Sequence, residues 1–89
     1  MQPKTKGMFA IIIDIDTTEE QAEEILALMQ RHSFAQQIGT FFMSESNELT
    51  TLLYAMNALK ATPWFTASVR DIRAFRVENW SDFTQFMKE

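Results

Sequence analysis

The chain has 89 residues, of which 46% are hydrophobic, and its formal net charge is −4. This composition is typical of one globular domain and excludes a disordered chain. The chain has no cysteine, which excludes a disulfide framework and a thiolate metal site, and no apolar run approaches the roughly 18 residues of a membrane span. We expect a cytoplasmic protein with one domain over residues 8–89, preceded by a flexible arm or added extension over residues 1–7.

The first half of the domain predicts a strand, a helix and two short strands. Residues 8–15 alternate with both faces apolar as far as Asp14, which indicates a central strand. Residues 17–32 have helical periodicity, and Thr17 and Glu20 have capping-box spacing. Residues 34–37 and 40–43 are predicted to be strands on either side of Gly39.

The second half predicts a helix, a strand and a short terminal helix. Residues 46–60 keep a helical apolar spacing, with Ser46 as the expected N-cap, and Pro63 stops that helix. Residues 64–68 form a connector of about one helical turn. Residues 70–77 are predicted to be the last strand, and residues 81–87 the terminal helix.

This order of elements predicts an α+β fold, a ferredoxin-like βαββαβ sandwich with a short C-terminal helix. Right-handed crossovers place both main helices on one sheet face, with the first strand between the third and the last. The other face would carry Met8, Ala10 and Ile12, which are too apolar for water. We therefore expect a homodimer through the open sheet face.

A basic segment stands out in this acidic chain, because three of the eight basic residues lie between Arg70 and Arg76. Such a segment suggests a placed anion contact. Alternation puts Arg70 and Arg76 on one face of the last strand. If that face is the open one, Arg70 meets Asp14 at a dimer cleft, where two copies of Asp14 could hold Mg²⁺ and Arg70 a phosphate. From the pattern alone, a structural Asp14–Arg70 ion pair is the commoner outcome.

Other polar residues give weaker signals. Asp16 is expected to precede or cap the first helix, and a role as metal ligand is the minority interpretation. His32, the only histidine, sits at a helix end, with nothing to bring it into the cleft. Phe41, Phe42 and Trp64 could stack on bases, but aromatic residues at these spacings more often belong to the core.

The basic segment is also part of a family resemblance. Residues 68–83, SVRDIRAFRVENWSDF, resemble the C-terminal block of the virulence-associated protein D family of small bacterial endoribonucleases. Residues 55–60, AMNALK, and residues 8–11, MFAI, also fit that family. The resemblance implies a ferredoxin-like homodimer that cleaves RNA, often as a toxin with an antitoxin protein as partner. It maps the family's first-strand Asp onto Asp14 and its basic strand onto Arg70, Arg73 and Arg76.

The chain also departs from the family pattern. The link between the first strand and the first helix is short, where many members carry an insertion. Ile38 stands where the family has Gln, Thr40 where it has Ser, and Phe42 where it has an aromatic hydroxyl. The resemblance therefore implies no role at position 42 that depends on an aromatic hydroxyl.

The resulting hypothesis is a homodimeric endoribonuclease for single-stranded RNA or mRNA. Asp14 is its catalytic residue and candidate Mg²⁺ ligand, while Arg70, Arg73 and Arg76 bind phosphates. The rivals are a non-catalytic dimer of the same fold that binds nucleic acid or an antitoxin, and a ferredoxin-like domain that binds a small molecule. Loss of Mg²⁺-dependent RNA cleavage in Asp14→Asn would separate the enzyme from both.

Overall fold

The computed structural model describes residues 8–78 and 83–88. Four strands and four helices follow one another in these ranges and confirm the α+β class. They are β1 (Met8–Asp14), α1 (Glu19–Arg31), β2 (Ala35–Ile38), β3 (Phe41–Ser44), α2 (Leu49–Lys60), α3 (Pro63–Ser68), β4 (Asp71–Val77) and α4 (Thr84–Lys88). The expected arm, residues 1–7, lies outside the described residues, as does the predicted start of the terminal helix at 81–82.

The four strands form one antiparallel sheet in the order β2-β3-β1-β4. The prediction that the first strand lies between the third and the last is confirmed. Gly39 closes the turn between β2 and β3 with a φ of +53°, a conformation that favours glycine. This topology is compatible with a ferredoxin-like fold.

The hydrophobic core lies between the sheet and the helices. Alternate residues of β1, Phe9, Ile11 and Ile13, point into it, as the period-2 pattern predicts. Ile25 from α1 and Leu59 from α2 pack against them, so both main helices cover the same sheet face. The buried members of this core are Phe9, Ile11, Ile13, Ile25, Met29, Phe34, Phe42, Ala55, Leu59 and Phe65.

The opposite sheet face is apolar, and neither α1 nor α2 covers it. Strand register places Ala10 beside Met43 and Phe75 there, and Ile12 beside Phe41. Ile12 is 44% exposed and Phe75 42% exposed. We call this surface the open face; its apolar members are Met8, Ala10, Ile12, Phe41, Met43, Phe75 and Val77, of which Ala10 and Met43 are themselves buried.

Two predicted N-caps are wrong by one and two residues. Thr18, not Thr17, caps α1: its side-chain oxygen accepts from the Gln21 N–H, and the Gln21 side chain accepts from the Thr18 N–H, both at 3.1 Å. The prediction chose Thr17 because Glu20 follows it by three residues, but Gln21 follows Thr18 by the same spacing and Gln serves equally in a capping box. Glu48, not Ser46, is the N-cap of α2. The Ser46 side-chain oxygen lies outside the helix and accepts a hydrogen bond from the Glu48 N–H at 3.2 Å.

The described helices are all short. Within residues 8–78 and 83–88, none is long and apolar enough to cross a membrane.

Candidate active site

The backbone itself brings Asp14 and Arg70 together. Asp14 ends β1, and Arg70 immediately precedes β4, which pairs antiparallel with β1. The Arg70 N–H therefore meets the Asp14 carbonyl and donates to it at 2.9 Å. The predicted proximity of these two residues is confirmed, and it follows from sheet register as well as from side-chain charge.

The Arg70 side chain lies between two carboxylates. Its Nη2 donates to Asp14 Oδ1 at 2.7 Å, and its Nη1 donates to Asp16 Oδ2 at 2.8 Å. A longer bond of 3.4 Å joins Nη2 to Asp16 Oδ1. We call these three residues the Asp14–Arg70–Asp16 cluster. Asp16 thus has a role that the sequence did not indicate; it precedes α1 as expected, but the residue that caps α1 is Thr18.

The cluster is open to solvent. The side chains are 57% exposed for Asp14, 52% for Arg70 and 90% for Asp16. The hydrogen bond from Arg70, reinforced by its charge, lowers the pKa of Asp16 from its usual 3.8. Hydrogen bonds to the same two carboxylates raise the pKa of Arg70 further. Arg70 therefore remains a cation held between two anions, which leaves one net negative charge on an accessible surface.

The cluster of a single chain fits arginine better than it fits a metal ion. Within the described ranges, no three His, Cys, Asp or Glu side chains are grouped so that they could hold a metal. The carboxylates of Asp14 and Asp16 already accept hydrogen bonds from a guanidinium, whose positive charge repels a second cation. Mg²⁺ binding therefore stays a prediction that requires further ligands from a second subunit.

The other two basic residues lie on opposite faces of β4. Arg73 pairs in register with Ile12 on the open face, and its Nε donates to Asp71 at 2.9 Å. Arg76 pairs with Phe9 on the helix side, where its guanidinium carbon lies 4.6 Å from the centre of the Phe9 ring. The structure therefore places Arg70 near Asp14, Arg73 on the open face and Arg76 away from both.

The condition attached to the predicted cleft, that the face shared by Arg70 and Arg76 is the open one, is not met. Ile72, on the same side of β4 as Arg76, pairs with Ile13 and packs against the core, so that side is the covered one. That condition also requires Arg70 to be a strand residue. It precedes β4 instead, and its side-chain direction is therefore not set by alternation within that strand.

A second group of polar residues was missed by sequence reasoning. His32 follows α1 and lines a cavity of about 200 Å³ together with Arg31, Ser33, Thr51 and Tyr54. The residues come from α1, the turn that ends it and α2, so no local motif joins them. The available signal was the run Arg31-His32-Ser33, in which three consecutive side chains carry hydrogen-bond donors.

The three aromatic residues that could stack on bases, Phe41, Phe42 and Trp64, lie in different environments. Phe42 is 1% exposed and belongs to the core, which confirms the core interpretation for that residue. Trp64 is half-buried and packs edge-on against Phe65, with 6.1 Å between ring centres. Phe41 is half-buried on the open face.

Comparison with known proteins gives a consistent set of relatives, although no protein-family model matches the chain. The chain is 37% identical over 91 residues to the endoribonuclease VapD homolog of Neisseria gonorrhoeae, covering 91% of this chain and 99% of that protein. It is 36% identical over 91 residues to endoribonuclease VapD of Dichelobacter nodosus, covering 91% and 98%. With endoribonuclease VapD of Haemophilus influenzae it is 43% identical over 65 residues, covering 73% and 71%.

Proposed function

The chain belongs to the VapD family, and we propose that it is an endoribonuclease that cleaves single-stranded RNA or mRNA. The observation that carries this proposal is the match to relatives named endoribonuclease along nearly the whole chain. The non-catalytic alternative has no comparable support. We further propose that the protein acts in the cytoplasm as the toxin of a toxin–antitoxin pair, or as an orphan relative of such a toxin.

We propose that Asp14 is the general base. Its carboxylate takes the proton from the attacking hydroxyl, which is the ribose 2′-OH or a water, as the new P–O bond forms. The bond from phosphorus to the leaving oxygen breaks, and that oxygen takes a proton from water. The exposed position of Asp14 at the end of β1 makes its carboxylate accessible to an RNA strand.

Arg70 is the proposed contact for the reacting phosphate. A guanidinium has five N–H donors, and the three hydrogen bonds to Asp14 and Asp16 involve only Nη1 and Nη2. The remaining donors can bind phosphate oxygens while the carboxylates hold the group in place. A positive charge that is already oriented stabilises the charge developing on phosphate in the transition state. Arg73 is proposed to contact a neighbouring phosphate, because β4 is an edge strand and the Arg73 side chain is 75% exposed there.

The proposed assembly is a ferredoxin-like homodimer joined through the open face. Ile12 and Phe75 support it, because both are large apolar residues that are more than two-fifths exposed. Burying this face against a second copy removes apolar surface from water. Asp14 lies on the strand that carries Ile12, so each interface edge would hold one Asp14–Arg70–Asp16 cluster. A Mg²⁺ ion would need ligands from both clusters, and an antitoxin protein could inhibit by covering them.

The experiment is a cleavage assay on single-stranded RNA with fragments resolved by length. The chain and its Asp14→Asn variant are purified in parallel, so that a contaminating nuclease appears equally in both. Reactions with Mg²⁺ and with EDTA separate a metal-dependent activity from one that uses Asp14 and Arg70 alone. RNA that is bound without being cut by the parent chain in either condition would contradict the proposed function and favour the binding module.

A further inference from the structure

A shallow polar cavity of about 200 Å³, open to solvent, lies where the end of α1 meets the first turns of α2. Each of its five lining residues carries an N–H or O–H donor, and no carboxylate is among them; they are Arg31, His32, Ser33, Thr51 and Tyr54. This is unusual for a chain in which acidic residues outnumber basic ones by twelve to eight. A cavity that offers one permanent cation, an imidazole and three hydroxyl groups is chemically suited to an anion.

Ser33 adopts a backbone conformation that serine seldom takes. Its φ is +70°, the only positive φ of a non-glycine residue in the described part of the chain. Ser33 and Phe34 donate their N–H groups to Gln30 and Met29 at 3.1 and 2.8 Å, which is the helix-ending arrangement that usually has glycine at this position. A serine there is more strained than glycine, so ending the helix does not explain its hydroxyl group.

Hydrogen bonds at the end of α1 also reduce the repulsion that an anion would meet there. The C-terminus of a helix carries partial negative charge on its last carbonyl groups. Here the carbonyls of Leu28, Met29 and Gln30 accept hydrogen bonds from the N–H groups that follow the helix. Their remaining field is opposed by the Arg31 side chain on the cavity wall.

The second wall of the cavity comes from α2. Thr51 and Tyr54 are three residues apart, so they lie on the same side of the helix. The Thr51 hydroxyl is held by the Ser46 hydroxyl at 2.8 Å, whereas Tyr54 is 63% exposed and leaves its phenol accessible from solvent. This wall therefore combines an oriented hydroxyl with an accessible one.

The cavity lies far from the Asp14–Arg70–Asp16 cluster. Ser44 pairs with Phe9 near the start of β1, and Thr51 is linked to the same end through Ser46. Asp14 is at the other end of β1, five residues beyond Phe9, which corresponds to roughly 17 Å along the strand. A phosphate bound in the cavity is therefore not the one that reacts at Asp14.

We propose that this cavity is a phosphate-binding subsite that holds a backbone phosphate of RNA several nucleotides from the bond that is cleaved. Arg31 supplies the charge, and the hydroxyl groups of Ser33 and Tyr54, with the His32 ring, donate hydrogen bonds to the phosphate oxygens. The RNA part of this inference rests on the proposed function, whereas the affinity for a phosphate group depends only on the cavity.

The test uses NMR titration with two probes, inorganic phosphate and a single-stranded oligoribonucleotide. His32 is the only histidine, so its ring signals report on the cavity without ambiguity. We expect saturable shifts with both probes and about tenfold weaker binding of each in Arg31→Ala, the scale of one charge-assisted hydrogen bond. Lys60→Ala is the control, because it removes an exposed cation from the far end of α2.

Ser33→Gly and Tyr54→Phe separate a loss of binding from a loss of folding. Ser33→Gly should raise the thermal midpoint, since glycine takes this φ without strain, and should still weaken phosphate binding. Tyr54→Phe removes one exposed hydroxyl and should also weaken it. Unchanged phosphate affinity in both variants would overturn the site.

The outcomes also distinguish this inference from the proposed function. Phosphate binding in the cavity of a chain that cuts no RNA would support the cavity and contradict the nuclease. RNA cleavage with no saturable shift of His32 by either probe would leave the nuclease intact and overturn the subsite. A shift with inorganic phosphate but none with RNA would overturn its assignment to the RNA backbone.

Discussion

Asp14→Asn is the sharpest test of the candidate active site. The substitution keeps the shape of the side chain and its hydrogen-bonding oxygen, but removes the charge and most of the basicity. If Asp14 takes a proton from the attacking hydroxyl, the cleavage rate should fall by ~100-fold or more, the scale of one positioned general base. If Asp14 only pairs with Arg70, cleavage should fall only in proportion to the fraction of protein that unfolds.

The structure limits how large that second effect can be. Asp14 and Arg70 are both more than half exposed, and exposed ion pairs contribute little to the free energy of unfolding. Arg70 also keeps its bond to Asp16 and its backbone bond to the Asp14 carbonyl when the Asp14 charge is removed. Almost all of the variant should therefore remain folded at assay temperature, and unfolding cannot account for a ~100-fold loss of activity.

Asp16→Asn is the matched control, because it removes the charge of the other carboxylate that holds Arg70. Both variants should have similar thermal midpoints, but Asp16→Asn should lose far less cleavage activity, because Asp16 takes no proton and its remaining amide oxygen can still accept a hydrogen bond from Arg70. Rates and midpoints are measured on the same preparations, with a labelled single-stranded RNA in excess over enzyme. Full cleavage by a folded Asp14→Asn protein would refute the general-base assignment, and equal losses in both variants would reduce Asp14 to a residue that positions Arg70.

Three further predictions concern assembly, RNA binding and acid stability. Light scattering should give about twice the chain mass of 10.4 kDa, and Ile12→Asp should shift the protein toward monomer by burying unpaired carboxylates. Leu53 is similarly exposed but lies on α2, so Leu53→Asp should leave the dimer intact. A parent chain that is a stable monomer would contradict the dimer. RNA binding is measured as the slope of the logarithm of the binding constant against the logarithm of the salt concentration. Arg70→Ala should flatten this slope by about 0.7 for each phosphate that is no longer neutralised. Arg76→Ala should leave it unchanged, because Arg76 lies on the helix side of the sheet. The folded-state pKa of Asp16 is lowered, so the ionised Asp16 side chain stabilises the folded protein above pH 3.8, and this contribution disappears as the pH falls through the lowered value. The free energy of unfolding of Asp16→Asn should therefore depend less steeply on acid pH than that of the parent chain. Identical pH profiles of the two proteins would contradict the ion pair.

The pattern of β1 illustrates what local sequence predicts well. The alternation of residues 8–15 predicts a central strand with two apolar faces, and β1 lies between β3 and β4 with its core residues as expected. The order of elements is also predictable, because helical and strand periodicities differ over these short spans. Boundaries are less reliable: capping can use Gln as readily as Glu, which moves the cap of α1 by one residue.

The face on which each arginine lies shows where such prediction ends. Alternation states which residues of a strand share a face, but not where the strand begins. Arg70 precedes β4, so its side chain reaches Asp14 and Asp16 while Arg73 and Arg76 take opposite faces. A shift of one residue in a strand exchanges its two faces. Register with a neighbouring strand, which depends on distant parts of the chain, decides the outcome.

Periodicity and antiparallel pairing are enough to predict the α+β class, the apolar open face and the nearness of Asp14 to Arg70. The docking of distant elements places Asp16 against Arg70 and Arg76 over the Phe9 ring. The same docking brings His32 and Tyr54 to one polar cavity. The arrangement of side chains far apart in the chain depends on how helices and strands dock, and no local pattern encodes that docking.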